Sequence, residues 1–361
     1  MTFKQIAPFI TFVLFVVGNV LGQTQATDTL DYEYVYGTAV KGEGPKILKY
    51  LDTLELYKSK DVAFKNKFEA RFKYAADRTD DYFDKTDTLL NPLHRMFQHY
   101  WRRGLLHPDQ DNDSIFKQKL LRFFNKENLN GIYTKGKVDE SNLDEVYIKY
   151  IESKGYHCTG FGRAGKFYDF LVWKTMEPQT FEIDLIDHTE KVDVNFMKDF
   201  LSLGWMEYSR LGERYPGGWA TDSALYCVTK GYDKSSEKFK IVYLKHEGQH
   251  FYDYKRFPGL ESRDLEYRGK LIEMVFCEEE LYNRISYYLK NAKNDPRNAH
   301  PHANYRIIAN MSLALFNKPY EGDFENWKTI SKKRLHELAR KLYNENTEAL
   351  LTEYKNEQVP D

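Results

Sequence analysis

Residues 245–258 read KHEGQHFYDYKRFP, with two histidines four positions apart and a glutamate directly after the first. On an α-helix, positions i and i+4 share a face, so His246 and His250 can close on one metal ion. Glu247 falls one step round the helix, beside such an ion, where a carboxylate serves as a general base toward a bound water. The pattern therefore demands a helix here. It also demands a partner, because a catalytic zinc takes three protein ligands and leaves the fourth position to water.

The surroundings are those of a buried helix. Ile241, Val242 and Leu244 precede the motif and Phe251 follows it; Leu244, Gly248 and Phe251 share a face. Gly248 would let another element approach closely, and Pro258-Gly259 stops the helix. A second helical stretch, SRDLEYRGKLIEMVFCEEELYNRISYYLK, begins at Ser262 as N-cap, with Asp264 in its first turn and apolar residues at 265, 272, 275 and 276. Its Glu266 lies 16 residues past His250, within reach of a short loop, and is the expected third ligand. Glu273, two turns further along the same face, is the alternative; Glu261 is expected to stay in the loop.

Elsewhere the periodicity divides the chain into three segments. Residues 1–22 carry Lys4 and then IAPFITFVLFVVGNVLG, an uncharged run short for a membrane span and followed at once by polar residues. That is the pattern of a cleaved secretory signal, so the protein is expected to be exported (periplasmic or secreted), without stable membrane insertion after cleavage. An uncleaved anchor is the competing reading. Residues 23–126 form a helical N-terminal region behind a polar arm. ILKYLDTLELYK, FKNKFEARFKYAADR, LLNPLHRMFQHYWRRGLL and SIFKQKLLRFF all repeat apolar residues every three or four positions. From 127 to about 240, one short helix leads into strand-like stretches, KFYDFLVWKT, TFEIDLI, KVDVNFM and SALYCVTK; helices return from about 240 to the end. Helices, then mostly antiparallel strands, then helices make an α+β fold, with residues 127–361 as the domain that carries the metal motif.

Lys plus Arg (53) nearly balances Asp plus Glu (54), which leaves no general field to attract nucleic acid. Cys158, Cys227 and Cys277 are too few for a disulfide scaffold; they allow one bridge of unassigned pairing with one free thiol, or three buried thiols. GFGRAG at 160–165 matches a dinucleotide-binding pattern, but KFYDFLVWK after it is strand-like where that pattern needs a helix. The glycines read as a hairpin turn or bulge.

HEGQHFYDY, an upstream strand and a glutamate on a downstream helix resemble the zincin metalloproteases, specifically the Glu-zincin branch. There a small residue often stands three positions after the liganding glutamate, and Glu266-Tyr267-Arg268-Gly269 has that spacing. The resemblance spans roughly residues 215–275. It implies a zincin-like catalytic domain holding Zn²⁺ through His246, His250 and Glu266, with Glu247 as general base in peptide-bond hydrolysis and a protein or peptide as substrate. It further implies an acid such as Asp253 orienting a ligating imidazole, and a substrate-binding edge strand in GGWATDSALYCVTK at 217–230. An oxyanion donor is expected from NAHPHANYRII, which offers His300, His302 and Tyr305, with His302 or Tyr305 favoured. The alternative is an exported binding or structural protein that keeps such a fold without turnover. Substrate specificity and oligomeric state are not legible in the chain.

Overall fold

The computed structural model describes residues 11–12, 29–56, 58–73, 90–126, 132–133, 136–221 and 224–357. The leader expected over residues 1–22 lies outside this range, apart from the two-residue strand β1 (Thr11–Phe12). Among the described residues, no helix is long and apolar enough to cross a membrane. Helix and sheet are mixed in the α+β manner that the periodicities imply. The chain divides into two compact units, one of residues 12–177 with 196–219, the other of 178–195 with 220–361 and the first eleven residues.

In the unit of residues 12–177 and 196–219, six helices come first among the described residues: α1 (Tyr32–Val40), α2 (Gly44–Asp52), α3 (Ser59–Phe72), α4 (Asn91–Leu106), α5 (Asn112–Lys126) and α6 (Leu143–Ser153). In α4, Leu93, Phe97, Tyr100, Trp101, Gly104 and Leu105 recur every three or four residues, and all are buried. The core they enter is aromatic. Phe97 lies 4.7 Å from Phe116 and 4.9 Å from Phe170 between ring centroids, and the Trp101 indole donates to the Tyr168 carbonyl at 2.7 Å.

After strand β2 (His157–Cys158), the GFGRAG segment is a hairpin. Strands β3 (Arg163–Ala164) and β4 (Phe167–Tyr168) pair Arg163 with Tyr168 and Ala164 with Phe167. Gly165, at φ +61°, takes the left-handed turn position between them.

Two expected strands, KFYDFLVWKT and TFEIDLI, largely merge: β5 runs unbroken over Leu171–Asp184, through Pro178. It is the first arm of a long hairpin with β6 (Thr189–Leu203). Side-chain hydrogen bonds Thr175–Asp199, Thr180–Asp193 and Thr189–Asp184 mark its antiparallel register. β2 pairs with β5 only at residues 172 and 173, so Pro178, which lacks an N–H, interrupts no bond to β2. Helix α7 (Gly204–Tyr208) follows, then β7 (Gly218–Ala220) and β8 (Leu225–Val228); the sheet order is β1-β7-β8-β6-β5-β2. Near the start of β5, buried Asp169 accepts the Trp205 amide at 2.6 Å. Burial, opposed by backbone donors, pushes its carboxyl up to about 6.

In the other unit, a π-helical stretch, Lys238–Lys245, feeds directly into α8 (His246–Arg256). The His246 amide reaches back to the Ile241 carbonyl, five residues away, so the wider winding ends where the histidines begin. Then come α9 (Ser262–Phe276), α10 (Leu281–Asn291), α11 (Ala299–Phe316), α12 (Phe324–Lys328) and α13 (Lys332–Glu357). Helix α9 is central, packing on α8, α11 and α13, and every residue from Leu265 to Val275 is buried. A helix enclosed on all sides must be apolar or pair its charges. α9 pairs them, and that polar face carries the site. Gly248 lets the hairpin approach α8: a Cβ there would meet Ile183 Cδ1 at 2.9 Å. All three cysteines are free thiols, Cys227 and Cys277 buried as expected and Cys158 half-buried.

Candidate metal centre

His246, His250 and Glu266 come together, and each is buried. His246 Nε2 lies 3.5 Å from Glu266 Oε2, and His250 Nε2 lies 3.5 Å from Glu266 Oε1. Both distances are long for a hydrogen bond. They match the edge of a tetrahedron around an ion about 2.0–2.1 Å from each donor, which is about 3.4 Å. His246 Nε2, His250 Nε2 and both carboxylate oxygens of Glu266 are buried without a hydrogen-bond partner. Leaving such atoms unpaired costs about 1–3 kcal/mol each, more for charged groups. A divalent cation among them would satisfy all three residues at once. Two imidazoles and one carboxylate suit zinc, so the donor set fits the ion that the motif implies.

The ring of His246 is held on three sides. Its Nδ1 meets Glu273 Oε1 at 2.6 Å, which places a proton on Nδ1 and turns Nε2 toward Glu266. Glu273 is itself fixed by the Tyr288 hydroxyl and by Arg284, each 2.7 Å from Oε2. Gly269 forms the third wall; a Cβ there would stand 2.7 Å from His246 Cε1. The small residue three positions after Glu266 thus makes room for the first histidine.

Charge is balanced across burial. Desolvation opposes ionisation at His246, but Glu266 and Glu273 outweigh it and push the imidazole up to about 9. Glu266 is held well below the usual carboxylate range, against burial, by His300, His246 and His250. Glu273 falls to about 2, against burial, through Arg284 and His246. Glu247 behaves oppositely. It is fully buried, neither oxygen has a hydrogen-bond partner, and burial raises its pKa.

The structure places the other candidate residues as follows. Glu273, the alternative ligand, instead orients His246: two turns along α9 separate Glu266 from Glu273 by about 10 Å, so they bracket one imidazole from either side. Asp253, expected to orient an imidazole, accepts from Arg268 and Gln249, both at 2.8 Å. Of the three candidates in 299–305, His300 reaches the centre, its Nδ1 2.7 Å from Glu266 Oε2. His302 stacks with Tyr305, whose other ring neighbour is Tyr320, and neither makes a hydrogen bond or ion pair with the triad. The stretch 217–230 holds two short strands, β7 and β8, joined where the Thr221 amide bonds the Ala224 carbonyl. Lys270, Arg284 and Tyr288 escaped the sequence reading; none lies in a motif, and only the helical path of α9 and α10 delivers them. No family model, curated protein or solved structure matches the chain.

Proposed function

We propose that the chain is an exported zinc-dependent metallopeptidase of the Glu-zincin kind, acting on a protein or peptide. The observation that carries this reading is the buried His246–His250–Glu266 group, whose ligand atoms lie within 4.8 Å of one another without hydrogen-bond partners, with an unpaired Glu247 beside them. When bound, zinc supplies Lewis acidity and acidifies water. His246, His250 and Glu266 would hold the ion; Glu273 fixes the tautomer and direction of His246. Glu247, whose pKa burial raises, would as its carboxylate take a proton from the attacking water and pass it to the leaving amine. The near-zero net charge supports a substrate other than nucleic acid.

The test joins metal content to turnover. Wild-type protein should hold one zinc per chain and cleave peptides. Glu247→Gln should keep the zinc and lose about 10²–10⁴-fold in rate. Undiminished cleavage by that variant would remove Glu247 from the mechanism. Zinc without cleavage of any peptide by the wild type would favour the non-catalytic binding protein.

A further inference from the structure

Helix α7 runs into a turn in which two successive residues are left-handed, Leu211 at φ +57° and Gly212 at φ +84°. Leucine adopts that conformation rarely, and α3 holds it in place: Lys67 Nζ donates to the Leu211 carbonyl at 3.1 Å, and Arg71 Nη1 to the Tyr208 carbonyl at 2.9 Å. Just ahead of the two lies Arg210, 4% exposed. Among the described residues, no hydrogen bond, ion pair or ring contact reaches its guanidinium, whose Nε and Nη1 are closed to solvent. The hydroxyl of Ser209, fully buried, has no hydrogen-bond partner either. The charged neighbours of Arg210 are Arg214 and Glu33, and these two satisfy each other. Arg214 lies over the Tyr36 ring at 4.6 Å and grips both oxygens of Glu33, Nη1 to Oε2 at 2.8 Å and Nη2 to Oε1. Burial, with Arg214 adding to it, pushes Arg210 down to about 10, so it remains a cation at neutral pH.

We propose that Arg210 anchors a binding site for one small oxyanion, a phosphate, sulfate or carboxylate group. A buried cation without a counter-ion is costly. Water would fill its hydrogen bonds and leave the charge. An oxyanion answers both, and the guanidinium fork matches its oxygens two at a time. Arg214 adds a second positive charge to draw the anion in, while Glu33 stays with Arg214. Every residue of this site belongs to the unit of residues 12–177 and 196–219 and the metal triad to the other, so neither reading depends on the other.

Calorimetric titration of the full chain with sodium phosphate, at an ionic strength held constant with chloride, tests the site. Wild type should bind phosphate, and Arg210→Met, which keeps the length of the side chain without its charge, should bind one equivalent fewer. Arg210→Lys, which keeps the charge but not the fork, should bind that equivalent about 10–100-fold more weakly, the loss of one charge-assisted hydrogen bond. It carries the test if Arg210→Met fails to fold. Phosphate taken up at the metal centre would be common to all three proteins. Sulfate and acetate, titrated in the same way, decide between a tetrahedral oxyanion and a carboxylate. Equal binding by wild type and both variants, or no binding of any of the three anions by wild type, overturns the proposal.

Discussion

Gly269→Ala should cost the protein its metal before it costs the protein its fold. The added Cβ would lie 2.7, 2.8 and 2.9 Å from three atoms of the His246 ring. Ordinary contact begins near 3.4 Å, so the ring must retreat by about 0.7 Å, whereas metal–ligand distances tolerate about 0.2 Å. Retreat is blocked, because Glu273 grips Nδ1 at 2.6 Å and is itself held by Tyr288 and Arg284. Zinc affinity should fall by at least the 10–100-fold typical of losing an orienting partner. Stability moves less. Alanine improves helix propensity by about 1 kcal/mol, while overpacking costs about 1–3 kcal/mol, for a net loss of about 0–2 kcal/mol. Chelator competition reads the first quantity and urea unfolding of the metal-free protein the second. Gly248→Ala is the control: its obstacle is the tip of Ile183, a flexible side chain away from the triad, so zinc affinity should not change. A folded Gly269→Ala protein with wild-type affinity would refute the claim that this glycine seats His246.

Two further changes test one buried charge in each unit. Asp253 and Arg268 form an ion pair with both side chains fully buried, so Asp253→Asn, which leaves the guanidinium uncompensated, should destabilise by about 3–5 kcal/mol in urea. Zinc per chain should stay at one; loss of zinc with stability intact would return Asp253 to the role of orienting a ligand. In the other unit, Asp169 titrates near 6 when folded against 3.8 for an ordinary aspartate, so the folded state binds the extra proton between those values. Its contribution is therefore full below about pH 4 and lost as pH rises through 6, about 3 kcal/mol in all. Asp169→Asn should remove that slope from urea titrations; an unchanged slope would mean another group sets it.

What was legible in the sequence is what periodicity and spacing encode. The i, i+4 histidines, the helix stop at Pro258-Gly259 and the glutamate 16 residues beyond His250 define local geometry, and the local geometry is found. Roles that depend on where a third helix returns were not legible. His300, His302 and Tyr305 stand within six residues, and only the register of α11 against α9 selects His300. Glu266 and Glu273 share a face of α9, so spacing ranks them but cannot say that both touch the same ring. The division into units was hidden for a similar reason. Its boundaries cut through the middle of β5 and β6, where the residue pattern does not change.

The charges of the centre explain how three carboxylates can be buried within a few turns of one another. Glu266 pairs with Lys270 and Glu273 with Arg284, which leaves Glu247 as one negative charge in excess when all three are ionised. Two devices absorb it. Burial raises the pKa of Glu247, opposed by His250, His246 and His300, and His246 takes a proton up to about pH 9 because carboxylates flank it on both sides. A divalent ion at His246 Nε2 would replace that proton and add positive charge beside Glu247. Metal and proton thus compete for one nitrogen. The same burial that makes the triad costly without an ion makes Glu247 a group that can both release a proton and take one back. A solvent-exposed glutamate at the same position, ionised throughout the neutral range, could accept a proton only weakly.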